Sequence, residues 1–212
     1  MPIQPASTST QTESLRAALR TATHVEHVRL NRHGLLAGLT RPDYPLPSYH
    51  LVLLAYHRFY AAVEAAIEAT PAVSNAGFDY RARRKLGWLD ADLAYLQLDP
   101  QTAPNALPEA LRGLRLNSPG SLIGTLYVIE GSTLGGQVIA RHLAEHLGLT
   151  ATTGARFFTA YGPLIEQRWH EFLAWAETVQ PADEIRRDAC IQAKAMFHLL
   201  EELLDAHFLP AR

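Results

Sequence analysis

The stretch LYVIEGSTLGGQVIARH, residues 126–142, is the part of the sequence that best defines the fold. Its apolar residues have helical spacing, yet Gly131, Gly135 and Gly136 lie in its middle. Each interior glycine costs a helix roughly 1 kcal/mol relative to alanine. We therefore predict a helix that bends at the glycines and whose backbone must stay bare there for close contact with a partner.

One face of this helix carries Tyr127, Gly131 and Gly135, because residues four apart share a helix face. Two interpretations of this face are open: a flat ligand lies across it, or another helix packs on the Gly-x-x-x-Gly pair. A membrane-spanning version of that pair needs about 20 apolar residues around it. Glu130 and Arg141 interrupt the apolar run here, which excludes a transmembrane helix.

The composition is that of an ordinary soluble protein. The chain has 212 residues, 48% of them apolar and 19% charged, with a net charge of -2, which favours one domain with a large core and no nucleic-acid partner. Its single cysteine, Cys190, excludes an internal disulfide. Since no secretory signal or apolar run of membrane length is found, we expect a cytoplasmic protein with no membrane partner.

The chain reads as all-α, since no segment shows the period-two alternation of strands. We expect a disordered polar lead-in over residues 1–12 and a helical domain over 13–212, with the second helix at its centre. The basic residues at the start of the third helix are expected to form a solvated face. Helices are predicted over 14–30, 48–69, 79–98, 110–116, 118–148, 164–179 and 183–208.

The first helix carries candidate ligand-binding groups on one face. His27 lies seven residues after Arg20 and four after Thr23. Seven residues are two turns, about 10 Å along the axis, which is about the span from the centre of a porphyrin to its carboxylate edge. His24, one turn before His27, is a competing candidate for a metal ligand.

Three other kinds of helical site are disfavoured. A di-iron bundle needs Glu-x-x-His pairs, and none of the 10 histidines has a glutamate three residues before it. Zinc is unpromising because the chain lacks His-Glu-x-x-His and has one cysteine. A nucleophilic enzyme of the thiaminase kind would need an activated thiol, but Cys190 lies in the apolar repeat of the last helix, which favours a structural role.

At this point two motifs resemble a known family. Residues 19–27, LRTATHVEH, resemble the first helix of heme oxygenases, and residues 131–137, GSTLGGQ, resemble their distal helix. Residues 126–143 are most similar to the bacterial branch often found with bacteriophytochromes. The similarity extends over about residues 15–208, and the two motifs are specific in combination.

The resemblance implies a single-domain, all-α, heme-oxygenase-like bundle that holds heme between the first, proximal helix and a kinked glycine-rich distal helix. His27 would be the proximal iron ligand. Gly131 and Gly135 would let the distal helix come close over the heme.

The resemblance also implies how the heme propionates are bound. Arg20 falls where the family has a lysine or arginine for a propionate, and Tyr127 where some bacterial members have a tyrosine. Thr23, between Arg20 and His27, joins the expected heme-binding set. Arg168 is a weaker candidate, with a surface salt bridge as its expected role.

The implied reaction uses heme as both substrate and cofactor. Oxygen and electrons from an external donor, such as ferredoxin or a reductase, would open it to biliverdin, carbon monoxide and ferrous iron. A bacteriophytochrome would be the acceptor of the biliverdin.

The expected catalytic residues are Gly131, Ser132 and Gly135. Mammalian-type members have aspartate where this chain has Ser132, and serine can hold a water but is no acid near neutral pH. Two alternatives stay open: a non-catalytic heme-binding or storage protein on the same fold, and a helical interaction module without heme.

Overall fold

The computed structural model describes residues 14–70, 77–102, 108–179 and 182–208. These ranges contain helices, turns and loops but no strand, which confirms the all-α prediction. The lead-in predicted over residues 1–12 lies outside them. The helices are α1 Leu15–Asn31, α2 Leu46–Glu68, α3 Leu86–Tyr95, α4 Glu109–Arg112, α5 Pro119–Leu147, α6 Arg156–Thr159, α7 Ile165–Val179 and α8 Asp183–Phe208.

Local signals set both ends of the glycine-rich helix α5. At its start, the Ser118 hydroxyl accepts a hydrogen bond from the Ser121 backbone N–H, and Pro119 occupies the first turn, where a missing N–H costs nothing. At its end, Gly148 adopts a φ of 67°, a left-handed conformation that glycine reaches without strain. The helix stays α-helical through its three central glycines, and the bend expected there stays a prediction.

The helix predicted over 79–98 is the main error in the expected elements. A short 3-10 turn, Arg81–Arg83, is followed by an extended residue, Arg84, and α3 begins only at Leu86. The break turns Arg83 and Lys85 inward, where 3% and 0% of their surfaces are exposed. The expectation of a solvated basic face is therefore wrong for these two residues.

Helix α8 is the element that α1, α2 and α5 share as a packing partner. We expected α2 to be central; it is buried along most of its length, but α8 is the common support of the two helices that carry the candidate site. α5 approaches α8 closely through Gly120 and Gly124. A Cβ at Gly120 would lie 2.5 Å from the carbonyl oxygen of Ile185, and one at Gly124 would overlap that of Ala189.

α1 and α5 both run in the same direction as α8, because their contacts with it ascend in step. The hydrogen bonds that show this join Ser118 with Asp188 and Thr125 with Gln192 for α5, and Arg29 with Glu201 and His33 with Asp205 for the end of α1. The two helices are therefore parallel on a common support. None of the helices described has the combination of length and apolar character required to cross a bilayer.

Candidate active site

The two motif-bearing helices come together at Tyr127 of α5 and Thr23 of α1. Burial raises the pKa of the Tyr127 phenol, and the Thr23 hydroxyl together with the charges of Arg16 and Arg20 offsets part of that rise. Thr23 itself is buried, and its hydroxyl donates to the backbone carbonyl of Leu19 at 2.8 Å. The structure thus places Tyr127 beside Thr23, within the electrostatic influence of Arg20 and of a second cation, Arg16.

His27 lies one helical turn beyond Thr23. One edge of its ring packs against Phe197 of α8, with centroids 6.0 Å apart, and the side chain is otherwise exposed. Partial burial, and secondarily the neighbouring His24 ring, lowers the pKa of His27 below its usual value. The neutral imidazole is the form that binds a metal ion, so the environment favours the ligating state.

Asn31 lies one turn further along α1 and contacts one of the two ring nitrogens of His27. Its amide nitrogen lies 3.3 Å from His27 Nδ1. Oxygen and nitrogen of an asparagine amide exchange places by rotation. With the oxygen toward the ring, Asn31 would accept the Nδ1 proton and leave the Nε2 lone pair for a ligand.

The structure separates the roles of the α5 glycines. A Cβ at Gly136 would lie 2.8 Å from the carbonyl oxygen of Phe158, so packing against α6 explains that glycine. A Cβ at Gly131 would make an ordinary contact with the Trp169 ring at 3.6 Å, and one at Gly135 would meet no described atom within 4 Å. Helix packing within the described chain therefore does not account for Gly135.

Trp169 of α7 is a site residue that the sequence did not reveal. Its ring centroid lies 5.7 Å from that of Tyr127, and the side chain is buried. The indole Nε1 is buried without a hydrogen-bond partner among the described residues. An unpaired buried donor costs about 1–3 kcal/mol, so a polar group of a ligand or a water would be stabilised there.

Ser132 is hydrogen-bonded to a buried tyrosine from α2. Its hydroxyl lies 3.0 Å from the Tyr60 hydroxyl and donates to the carbonyl of Ile129 at 3.0 Å, so Tyr60 is placed to donate to Ser132. Burial raises the pKa of Tyr60, which keeps the phenol protonated. The polar group beside Gly131 is thus a tyrosine–serine pair, and Tyr60 was not found from the sequence.

A buried ionic cluster supports α5 directly before Gly131. The Lys85 ammonium lies 2.6 Å from one Glu130 carboxylate oxygen, and the Arg83 guanidinium lies 3.0 Å from the other. The Tyr161 hydroxyl donates to the same carboxylate at 3.0 Å. One signal was present in the sequence: Glu130 follows four apolar or aromatic residues and precedes a glycine, so an inward charge there requires a partner.

Two other candidates do not join the site. Arg168 forms an ion pair with Glu171 at 3.3 Å, as expected, and its guanidinium lies over the Tyr161 ring. Cys190 is half-buried on α8, and it lies close enough to Tyr127 to affect the phenol.

Comparison with known proteins identifies the family of the chain. A family model described as Heme oxygenase matches residues 13–206. A heme oxygenase of Xanthomonas campestris pv. campestris is 32% identical over 168 residues, which cover 77% of this chain and 92% of the relative.

Solved structures show the same fold. Heme oxygenase from Leptospira interrogans matches with a TM-score of 0.77 at 18% identity, over 91% of this chain and 98% of that one. NO- and CO-bound heme oxygenase from Neisseria meningitidis matches with a TM-score of 0.75 at 21% identity, over 94% and 95%. By its match to the family model and by its curated relative, the chain belongs to the heme oxygenase family.

Proposed function

We propose that this protein binds heme in the cleft between α1 and α5 and opens it with O2 and externally supplied electrons to biliverdin, carbon monoxide and ferrous iron. Membership of the family makes it a heme-degrading enzyme. The observation that carries the site assignment is the open face at Gly135, since no packing within the described chain accounts for its missing side chain. Heme, when bound, supplies the iron at which oxygen is reduced and is itself the substrate.

The residues of α1 fit the proximal side of heme. His27 would hold the iron through Nε2, with its neutral form favoured by the lowered pKa. Arg20 and Arg16 are positively charged groups beside Tyr127, which suits the carboxylates of the propionates. Tyr127 would donate its phenol hydrogen to the same carboxylates.

The residues of α5 fit the distal side. Gly131 and Gly135 present backbone rather than side chains, which leaves room for oxygen and the edge of the macrocycle. Ser132, held by Tyr60, would orient a water at this face and hold a proton at its hydroxyl oxygen. Tyr60 would hold the Ser132 hydroxyl in place by donating a hydrogen bond to it, and its raised pKa keeps the phenol itself protonated.

The first test is turnover. Purified protein is mixed with hemin and a chemical reductant in air, and the absorption spectrum is followed. We expect the Soret band to disappear and the spectrum of biliverdin to replace it, with carbon monoxide released. Stable binding of hemin with an unchanged spectrum would instead support a carrier, and an absent Soret shift would exclude heme binding.

The proposal also includes an electron donor, an acceptor of biliverdin and a location in the cell. The electron donor would be a ferredoxin or a reductase, and replacing the chemical reductant by each of these identifies it. A bacteriophytochrome as acceptor of biliverdin is supported by the resemblance of residues 126–143 alone. Formation of a photoactive phytochrome after mixing its apoprotein with the reaction tests this transfer. A cytoplasmic location is supported by the single thiol, Cys190.

A further inference from the structure

The last two turns of α5 carry a cluster of metal-ligating side chains outside the heme cleft. His142, Glu145 and His146 each offer one nitrogen or oxygen atom, and these three atoms lie within 4.8 Å of one another. His142 is seven residues beyond Gly135, about 10 Å further along the helix axis. The cluster is therefore separate from the groups proposed to hold heme.

The arrangement follows from helical spacing. Residues three and four apart lie on one helix face, and the two imidazole rings are stacked with centroids 5.7 Å apart and planes 23° apart. In one class of zinc enzymes, the two histidines of a His-x-x-Glu-His sequence hold the metal on a helix. This order is the reverse of the His-Glu-x-x-His pattern that the sequence lacks.

The candidate ligand atoms are not engaged by strong bonds within the described chain. His142 Nδ1 is buried and has no hydrogen-bond partner there. The Glu145 carboxylate lies 3.9 Å from His146 Nε2, too far for a hydrogen bond. A cation bound between these groups would give the His142 ring and the Glu145 carboxylate a partner.

The end of the helix adds a favourable field. His146 lies in the last turn of α5, where the unpaired carbonyls give the helix a partial negative charge. Zinc ligands at about 2.1 Å from the ion lie roughly 3.4 Å apart. The side chains would have to rotate to close the difference.

We propose that His142, Glu145 and His146 bind a divalent ion of the late first transition series, with Zn²⁺ as its representative. Two imidazoles and one carboxylate match the ligand preference of these ions and leave a coordination position for water. The bound ion would tie together the last two turns of α5. This proposal does not depend on the function proposed above.

The test uses the full-length, heme-free protein. Zn²⁺ is titrated calorimetrically after treatment with a chelator, and Co²⁺ is added as a spectroscopic probe of the coordination. We expect one saturable site, and we expect His142→Ala and His146→Ala each to weaken Zn²⁺ binding at least tenfold. Glu145→Gln should weaken it less. Since alanine is the better helix former, circular dichroism should show that the variants remain folded.

Two control variants address other histidines. His170→Ala changes an exposed histidine on α7, and His24→Ala changes one near the heme cleft; both should bind Zn²⁺ like the original protein. Absence of saturable Zn²⁺ binding would overturn the proposal. Loss of binding in His24→Ala with retention in His142→Ala would overturn it as well, because the ion would then be held by α1.

Discussion

Lys85 and Glu130 form a wholly buried ion pair, with the ammonium nitrogen 2.6 Å from a carboxylate oxygen and with 0% and 1% of the two residues exposed. Burial lowers the pKa of Lys85, and the adjacent Glu130 carboxylate offsets part of that effect. The backbone N–H of Lys85 also donates to Glu64 of α2 at 2.6 Å. The pair thus connects the segment before α3 to the turn of α5 that precedes Gly131.

The first prediction concerns this pair. Lys85→Met leaves Glu130 buried with one cation fewer, and removal of one partner from a buried pair costs about 3–5 kcal/mol. We expect the free energy of unfolding in urea to fall by about 3 kcal/mol, toward the lower end because Arg83 remains.

The double variant Lys85→Met/Glu130→Gln should recover part of the loss, because it removes the carboxylate that has lost one of its two cations, while Arg83 keeps its ion pair with Glu171. The control Arg81→Met changes an exposed cation in the same segment and should alter the unfolding free energy by less than about 0.5 kcal/mol. If Lys85→Met behaved like Arg81→Met, the cluster would have no structural role.

The second prediction separates a ligand-facing glycine from packing glycines. Gly135→Ala should stabilise the heme-free protein by up to about 1 kcal/mol, since the new methyl group meets no described atom. The same methyl group should weaken hemin binding and turnover about tenfold or more, equivalent to about 1.4 kcal/mol. Thermal unfolding and hemin titration measure the two effects.

Two further glycine variants serve as comparisons for Gly135→Ala. Gly87→Ala in α3 also adds a methyl group in open space and should leave hemin binding unchanged. Gly124→Ala should destabilise the protein, because its methyl group would overlap the α8 backbone. Normal turnover in Gly135→Ala would show that heme does not lie against this position.

The third prediction concerns proton supply. Tyr60→Phe keeps the ring but removes the hydroxyl beside Ser132, so we expect hemin affinity to be retained while biliverdin formation slows several-fold. Ser132→Ala should have a similar effect, and the double variant should be no slower than the singles. Single-turnover absorption measurements give these rates.

Tyr44→Phe provides the matched control, since it removes a buried tyrosine hydroxyl that donates to the Leu35 carbonyl. That change should cost about 1 kcal/mol of stability without altering turnover. An unchanged rate in Tyr60→Phe would remove this tyrosine from the proton route.

The fourth prediction concerns the ring orientation of His27. Asn31→Asp offers a charged acceptor to Nδ1–H and should strengthen the bond between iron and His27, whereas Asn31→Leu should weaken it. The iron–histidine stretching frequency in resonance Raman spectra of the ferrous complex should therefore rise in the first variant and fall in the second. Equal frequencies would show that Asn31 does not contact the liganded ring.

The helices were predictable where the signals are local. Ser118 and Gly148 define the ends of α5 by chemistry within a few residues, and both ends were predicted closely. The charged partners of Glu130 are Lys85 and Arg83, 45 and 47 residues earlier in the chain. They lie on a segment whose basic residues resemble a solvated face, so no local pattern identified them.

Two glycine pairs of α5 have the same spacing but different roles. Gly120 and Gly124 have the same separation as Gly131 and Gly135, yet the first pair packs against α8 and the second does not. A four-residue interval predicts a common face but not the atoms opposite it. Tyr60 and Trp169 were missed for the same reason, since each reaches the site from another helix.

Hemin titration of His27→Ala beside His24→Ala tests the central claim most directly. We expect His27→Ala to lose the normal Soret spectrum and turnover, His24→Ala to keep both, and added imidazole to restore the Soret spectrum of His27→Ala. Restoration of the spectrum by added imidazole would show that the variant is folded and still accepts heme. Normal ligation in His27→Ala together with its loss in His24→Ala would contradict the account.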